Sequence, residues 1–347
     1  MSLAHPRDKI IKALGEQSEQ PVATSHAVTP LFSLQEVSRA LAADEFVLHY
    51  QPIVELASGR TRGVEALIRW NHPSLGLLEP QAFLPGIEDT PVIAVMTRWV
   101  LGAACAASAG WPGWTVSVNI TGRDLASDSF TADVERALDG GGIAAERLVL
   151  ELTETALVQD LPRAARVLSA LRKNGIGVAL DDFGTGYSSM LYLRELPITS
   201  VKIDRVFMAG LPESSEDMAI VSSLLTLART VGLTTVAEGV ETQLQAHVLD
   251  SLGCPLAQGY LWSKPLAAPA AAEIHHGGLS GVDYVPPQNA RRRTPFDPGV
   301  AARAHALLRK GASLNTIAAA LNHAGERTHN GSRWHAASVA RLINMLQ

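Results

Sequence analysis

The chain has 347 residues, 47% of them hydrophobic and 18% charged, which is the composition of a folded chain able to bury one large core and a small one, and excludes disordered and fibrous classes. Its most apolar stretch, 92–111, is broken by Arg98, Gly102, Ser108 and Gly110, and the first twenty residues hold no apolar core followed by a cleavage site, so neither a membrane span nor an export signal is expected. The net charge of −5 conceals a split: residues 291–347 hold nine basic and two acidic side chains, leaving twenty basic against thirty-two acidic before them. Two units with different partners are expected, the C-terminal one facing a polyanion.

Residues 1–33 show no sustained pattern beyond one short helical stretch, DKIIKALGEQ, and read as a flexible lead-in. From Phe46 onward a short apolar run recurs eight times: FVLHYQPIV (46–54), GVEALIRW (63–70), TVSVNI (115–120), RLVLELT (147–153), IGVALDD (176–182), ITSVKID (198–204), LTTVAEG (233–239) and CPLAQGY (254–260). Amphipathic stretches such as LPRAARVLSALRKNG (161–175) and SEDMAIVSSLLTLARTVG (215–232) lie between the later runs, with apolar spacings of three and four and a glycine stop. Eight strands alternating with helices predict a (β/α)8, TIM-like barrel of the α/β class. The first connection, 55–61, is too short for a crossover helix, so the first strand is expected to run antiparallel. The two cysteines, Cys105 and Cys254, form neither a disulfide framework nor a metal-binding pair, which suits a reducing cytoplasm. The expected organisation is a lead-in (1–33), the barrel (34–267), a linker with room for a short helix (268–296) and a small all-α unit (297–347).

The polar residue at or near the end of each run carries the chemistry. These are Glu65, Asn119, Glu151, Asp181 with Asp182, Lys202, Glu238 and Gln258. A lone glutamate at a strand end is more often a cap or half of a salt bridge, and two adjacent aspartates can simply start a turn. Polar positions that recur in phase with strand ends are another matter, because a closed barrel brings strand ends to one mouth. Five carboxylates there would repel one another and call for cations. An all-oxygen donor set suits two divalent ions, Mg²⁺ or Mn²⁺, about 3.5–4 Å apart, a pair adapted to phosphodiester hydrolysis.

The strings YQPIV (50–54), EALIRWNHP (65–73), SVNIT (117–121), ELTET (151–155), DDFGTGYSS (181–189), LPITSVKID (196–204), AEGVET (237–242) and GCPLAQGY (253–260) closely resemble the EAL-domain family. The resemblance runs in order from about Leu34 to Ala267. It implies hydrolysis of cyclic di-GMP to linear pGpG by two divalent metals on a modified barrel. Carried over by position, it implies metal ligation by Glu65, Asn119, Glu151, Asp181, Asp182 and Glu238, with Asp181 bridging. Lys202 would activate or stabilise the attacking water, and catalysis would fall to Lys202, Glu238, Glu65 and Asp182. Gln51 and Arg69 would touch the dinucleotide, Glu241 and Gln258 would support substrate and water, and Glu154 would anchor the DDFGTGYSS loop. The family also includes members that bind the nucleotide without turnover, so a catalytically weak sensing regulator is the alternative. No GGEEF-like signature is present, and synthesis of the messenger is not expected. Barrels of this family commonly pair, which implies a homodimer.

The C-terminal stretches 297–311, 313–325 and 335–346 show helical spacing, with Ser313 as an N-cap and Gly311 and Gly325 as stops. Short helices with a positive balance read as a helix-turn-helix DNA reader. The segment 313–343 also resembles the helical DNA-binding part of large serine recombinases. His335, Ser338 and Arg341 would then lie toward bases, and Arg291, Arg292, Arg293, Arg327 and Arg333 would contact phosphate. A basic helical bundle serving as a dimerisation or partner surface is the alternative.

Overall fold

The computed structural model describes residues 32–153, 160–184 and 189–279, then Tyr284, Pro286 and, discontinuously, positions between 300 and 342. Glu154, Arg291, Arg292, Arg293, Arg327 and Arg341, with the roles expected of them, lie outside the described residues. Two compact units are defined by the chain: the residues up to Phe46 together with Arg69–Ile93, and Val47–Ile68 together with Ala94 onward.

In the first unit, the helix Leu34–Ala42 begins with a reciprocal cap. Ser33 accepts from the Glu36 amide while the Glu36 carboxylate accepts from the Ser33 amide, satisfying two donors that a helix start leaves open. Glu45 takes a two-pronged bond from Arg39 and a third from Trp70 Nε1 at 2.8 Å. Phe32, Phe46 and Phe83 surround the Trp70 ring with centroids 4.5 to 5.8 Å away.

The second unit is built on the expected barrel. Its strands are β1 (Phe46–Glu55), β2 (Thr61–His72), β4 (Thr115–Asn119), β5 (Leu148–Thr153), β6 (Gly177–Phe183), β7 (Ser200–Ile203), β8 (Thr234–Ala237) and β9 (Leu256–Ala257). Order β1-β9-β8-β7-β6-β5-β4-β2, with β1 also pairing β2, closes eight strands into a ring. All neighbours from β2 round to β9 are parallel, whereas β1 meets β9 antiparallel, Val54 opposite Ala257. Two short strands lie beyond the ring, β3 (Gly76–Leu78) on β2 and β10 (Leu266–Ala267) on β1. Connecting helices turn one apolar stripe inward. In Leu161–Lys173 the buried residues are Ala164, Leu168 and Leu171, one per turn, and Gly175 ends the stretch in the left-handed region at φ 99°.

Of the stretch read as a linker, Ala268–Gly277 is helical, and Tyr284 packs back onto the barrel. Its hydroxyl donates to the Leu56 carbonyl at 2.6 Å and its ring stands edge-on to Trp262. The sequence showed only a Gly- and Pro-rich run here, because a single buried aromatic leaves no periodic signal.

Within the C-terminal stretch, Ser313 caps the helix Leu314–His323 by accepting from Thr316 N at 3.2 Å, and Gly325 follows with φ 75°. Val300, Ala304, Ile317, Ala318, Leu321, Trp334, Val339 and Leu342 form a separate apolar cluster. The Asn322 amide clasps the Trp334 backbone in both directions, donating to its carbonyl and accepting from its N–H, each at 2.8 Å.

Candidate active site

The carboxyl ends of β4 to β8, together with Glu65 from within β2, deliver the expected side chains to one place, with Lys202 at its centre. Lys202 on β7 is 1% exposed. Its Nζ lies 2.6 Å from Glu238 Oε1, 2.7 Å from Glu151 Oε2, 3.2 Å from Glu65 Oε2 and 3.6 Å from Asp181 Oδ1. Four strands' worth of carboxylates thus meet on one ammonium. Register explains the convergence: Asn119 stands opposite Glu151 between β4 and β5, and Thr153 opposite Asp181 between β5 and β6, so each strand in turn presents its acid at the rim.

A second row of hydrogen bonds fixes Glu65. Asn119 Nδ2 donates to its Oε1 and Gln258 Nε2 to its Oε2, both at 2.9 Å. Gln258 Nε2 also reaches Gln51 Oε1 at 2.9 Å, and Gln51 Nε2 donates to the Ser263 carbonyl at 3.2 Å. Glu65 is thereby held on both oxygens. The other amide atom of Gln258, Oε1, is buried with no hydrogen-bond partner among the described residues.

Adjacent aspartates on a regular strand would point to opposite faces. Here the pairing of β6 with β7 shifts register between Leu180 and Phe183, and Asp182 adopts a left-handed backbone at φ 54°. A bulge of this kind re-aims side chains, and aspartate is one of the few residues that tolerates that conformation. The Asp182 amide turns back to donate to Asp181 Oδ1 at 3.0 Å.

Electrostatics follow from one cation among many anions. Burial by itself would neutralise Lys202, but Glu151, Glu238, Glu65 and Asp181 outweigh it and hold the ammonium charged, well above the ordinary lysine value. One ammonium cannot satisfy all of them. Burial pushes Glu238 up to about 8 and Glu151 up to about 7, against the pull of Lys202 and with repulsion from Glu65 and Asp181. Asp182 rises to about 6 through burial, the Asp181 charge and the neighbouring Asp204 carboxyl. Glu65 alone goes down: burial opposes this, but Lys202, Asn119 and Gln258 all favour its charged form.

The donor set fits divalent cations. It offers carboxylate oxygens and the Asn119 amide, with more acids than the Lys202 ammonium can pair. As they stand, no three of His, Cys, Asp or Glu among the described residues are grouped so as to hold a metal ion; Glu65, Glu151 and Glu238 each lie on Lys202.

The other expected residues are placed as follows. Glu241 is exposed, and its backbone N–H donates to Gln245 Oε1 at 2.9 Å. Arg69 is buried on β2 in the first unit. Arg333 and His335 are exposed on either side of buried Trp334, and Ser338 is half-buried. Two contributors went unrecognised in the sequence. Asp204 had a visible signal, the third residue of the KID run at the end of β7, whereas the Ser263 carbonyl, a backbone group in a turn, had none.

A closed (β/α)8 barrel with an antiparallel first strand and an acidic mouth ringed about one buried lysine is a distinct class of structure. The sequence model described as EAL domain matches residues 34–265, and the chain belongs to that family. Among curated relatives, the bifunctional diguanylate cyclase/cyclic di-GMP phosphodiesterase MucR of Pseudomonas aeruginosa is 41% identical over 249 residues, 70% of this chain and 36% of that protein. The cyclic di-GMP phosphodiesterase NbdA of the same organism is 40% identical over 271 residues, 76% of this chain and 35% of that one. The matches therefore span about a third of these relatives' length. Among solved structures, the PaMucR phosphodiesterase in its c-di-GMP complex superposes with a TM-score of 0.65 at 41% identity, covering 69% of this chain and 98% of that one. No helix among the described residues is long and apolar enough to cross a membrane.

Proposed function

We propose that the barrel is a cyclic di-GMP phosphodiesterase that opens one phosphodiester of the cyclic dinucleotide to give linear pGpG. The observation that carries this reading is the ring of acids about Lys202, with Glu65 fixed on both oxygens, in a chain of the EAL domain family. Glu65, Asn119, Glu151, Asp181, Asp182 and Glu238 would hold two divalent ions, Mg²⁺ or Mn²⁺. When bound, such a pair lowers the pKa of water and stabilises charge on phosphate. Lys202, kept protonated by its neighbours, places a fixed positive charge where an attacking oxygen and a phosphate gain negative charge. Glu238, raised to about 8 while it faces the other acids, would give up that proton on joining the metal ligands. Gln51 and Arg69 would orient the dinucleotide, and the open Gln258 Oε1 would accept from a water or base N–H.

The test is chromatography for pGpG after incubation of the purified protein with cyclic di-GMP and Mg²⁺ or Mn²⁺. Turnover is expected in the parent, with losses of about a thousandfold or more in Glu65→Ala and Asp182→Asn. Tight binding of the nucleotide without turnover would replace the enzyme by a sensing regulator.

For residues 297–347 we propose DNA binding, supported by nine basic against two acidic residues over 291–347 and by a core that holds Trp334 between exposed Arg333 and His335. Gel shifts on duplex DNA should weaken steeply with salt, the slope falling by about one unit for each phosphate-contacting arginine removed from Arg291, Arg292, Arg293, Arg327 and Arg333. Absence of any shift at low salt would favour the protein-partner surface instead.

A further inference from the structure

Tyr260 is 56% exposed, an unusual position for a large aromatic two residues beyond Gln258, which is 3% exposed in the acidic cluster. It is held on a rigid ledge. A Cβ at Gly259 would overlap the backbone nitrogen and carbonyl of Val240, so only glycine lets the two chains touch there. Hydrogen bonds continue the attachment on both sides: Gln258 N to Ala237 O at 2.8 Å, Leu261 N to Val240 O at 3.0 Å, and Trp262 N to Gly259 O at 3.2 Å. Lys264 lies on the same turn with its Nζ 5.4 Å from the centre of the Tyr260 ring. Between them, Ser263 holds Gln51 through its carbonyl, and Gln51 in turn holds Gln258. Ledge and acidic cluster are thus one connected piece at the mouth end of β9.

A solvent-facing aromatic on a fixed turn, with a cation over its ring, offers a π surface and a positive charge together. Purine bases stack on such surfaces, and the carbonyl and ring nitrogen of guanine, like phosphate, attract the cation. We propose that Tyr260 is a stacking platform for one base of the substrate, with Lys264 as its charged edge, so that this turn sets selectivity for a purine dinucleotide over other phosphodiesters. This rests on the phosphodiesterase reading above. Tyr260 takes no part in the bond cleavage, so its removal weakens binding of the base without disabling the acids and Lys202.

The experiment compares the full chain with Tyr260→Ser and Tyr260→Trp on two substrates, cyclic di-GMP and bis(p-nitrophenyl) phosphate, which carries no purine. The expected result in Tyr260→Ser is a KM for cyclic di-GMP raised about tenfold, the usual worth of one base–aromatic stack, with kcat and hydrolysis of the nitrophenyl ester within about twofold. Tyr260→Trp should restore the parent KM. An unchanged KM in Tyr260→Ser, or equal losses on both substrates, would overturn the platform, the second outcome marking a merely structural ring. If the parent cleaves neither substrate, the phosphodiesterase reading fails by itself. Equilibrium titration of cyclic di-GMP against parent and Tyr260→Ser then decides the platform separately, equal affinity overturning it.

Discussion

Replacing Lys202 with methionine should cost about 3–5 kcal/mol of stability at pH 8.5 and much less at pH 6, because the substitution keeps the volume but leaves buried Glu65 and Glu151 and partly buried Asp181 and Glu238 without the ammonium they share. The pH dependence has a definite sign. At high pH the acids are charged and repel one another across a few ångströms, whereas toward pH 6 Glu238 and Glu151, already raised to about 8 and about 7 in the parent, take up protons and the repulsion relaxes. Urea unfolding of the metal-free variant and parent at both pH values measures the difference. Equal destabilisation at the two pH values would mean that lost packing, not charge, dominates. Turnover should fall by about a hundredfold or more even where the variant is folded, since no neutral side chain supplies the charge.

Metal binding should tighten as pH rises from 6 to 8.5. Glu151 and Glu238 have folded-state values above the ordinary 4.5, so their protonation contributes stability fully below about pH 4.5. That contribution is lost as pH climbs through about 7 for Glu151 and about 8 for Glu238. Lys202 runs in the same direction, but its raised value places the loss above its ordinary 10.5, outside this window. Divalent ions bind the deprotonated acids, so each proton displaced should lower the apparent dissociation constant about tenfold per pH unit. Thermal unfolding with and without Mg²⁺ should therefore show a small rise in Tm at pH 6 and a larger one at pH 8.5. Calorimetry in two buffers of different ionisation enthalpy should detect proton release. A metal-induced rise in Tm that stays flat across this range would contradict the coupling.

The neutral members Asn119 and Gln258 orient Glu65 through directional bonds that carry no net charge, and Gln51 in turn holds Gln258. Such partners narrow the geometry available to the acids, which is what a reaction depending on sub-ångström placement requires.

Much of this was readable in one dimension. Strand existence and order followed from apolar runs such as TVSVNI and RLVLELT, because a strand buried on both faces must be apolar throughout. The antiparallel first strand followed from the short 55–61 connection, which no crossover helix can span. Asn119, Glu151, Asp181, Lys202 and Glu238 were legible because each is a polar exception at or near the end of such a run, whereas Glu65 interrupts GVEALIRW and lies within β2. What the linear chain could not express was distance. That Lys202 is the common partner of four acids depends on strands far apart in sequence closing into a ring. The bulge that re-aims Asp182 depends on how β6 and β7 settle against each other, and the Ser263 carbonyl is a backbone group with no letter of its own. Tyr284 belongs to the same category: its hydroxyl meets the Leu56 carbonyl 228 residues earlier in the chain. Residue type and spacing determined by themselves which chemistry could be assembled, since charge and apolar periodicity are local properties. Only tertiary structure decided which charges meet, because Coulomb energies and hydrogen bonds depend on separations that are set when the barrel closes.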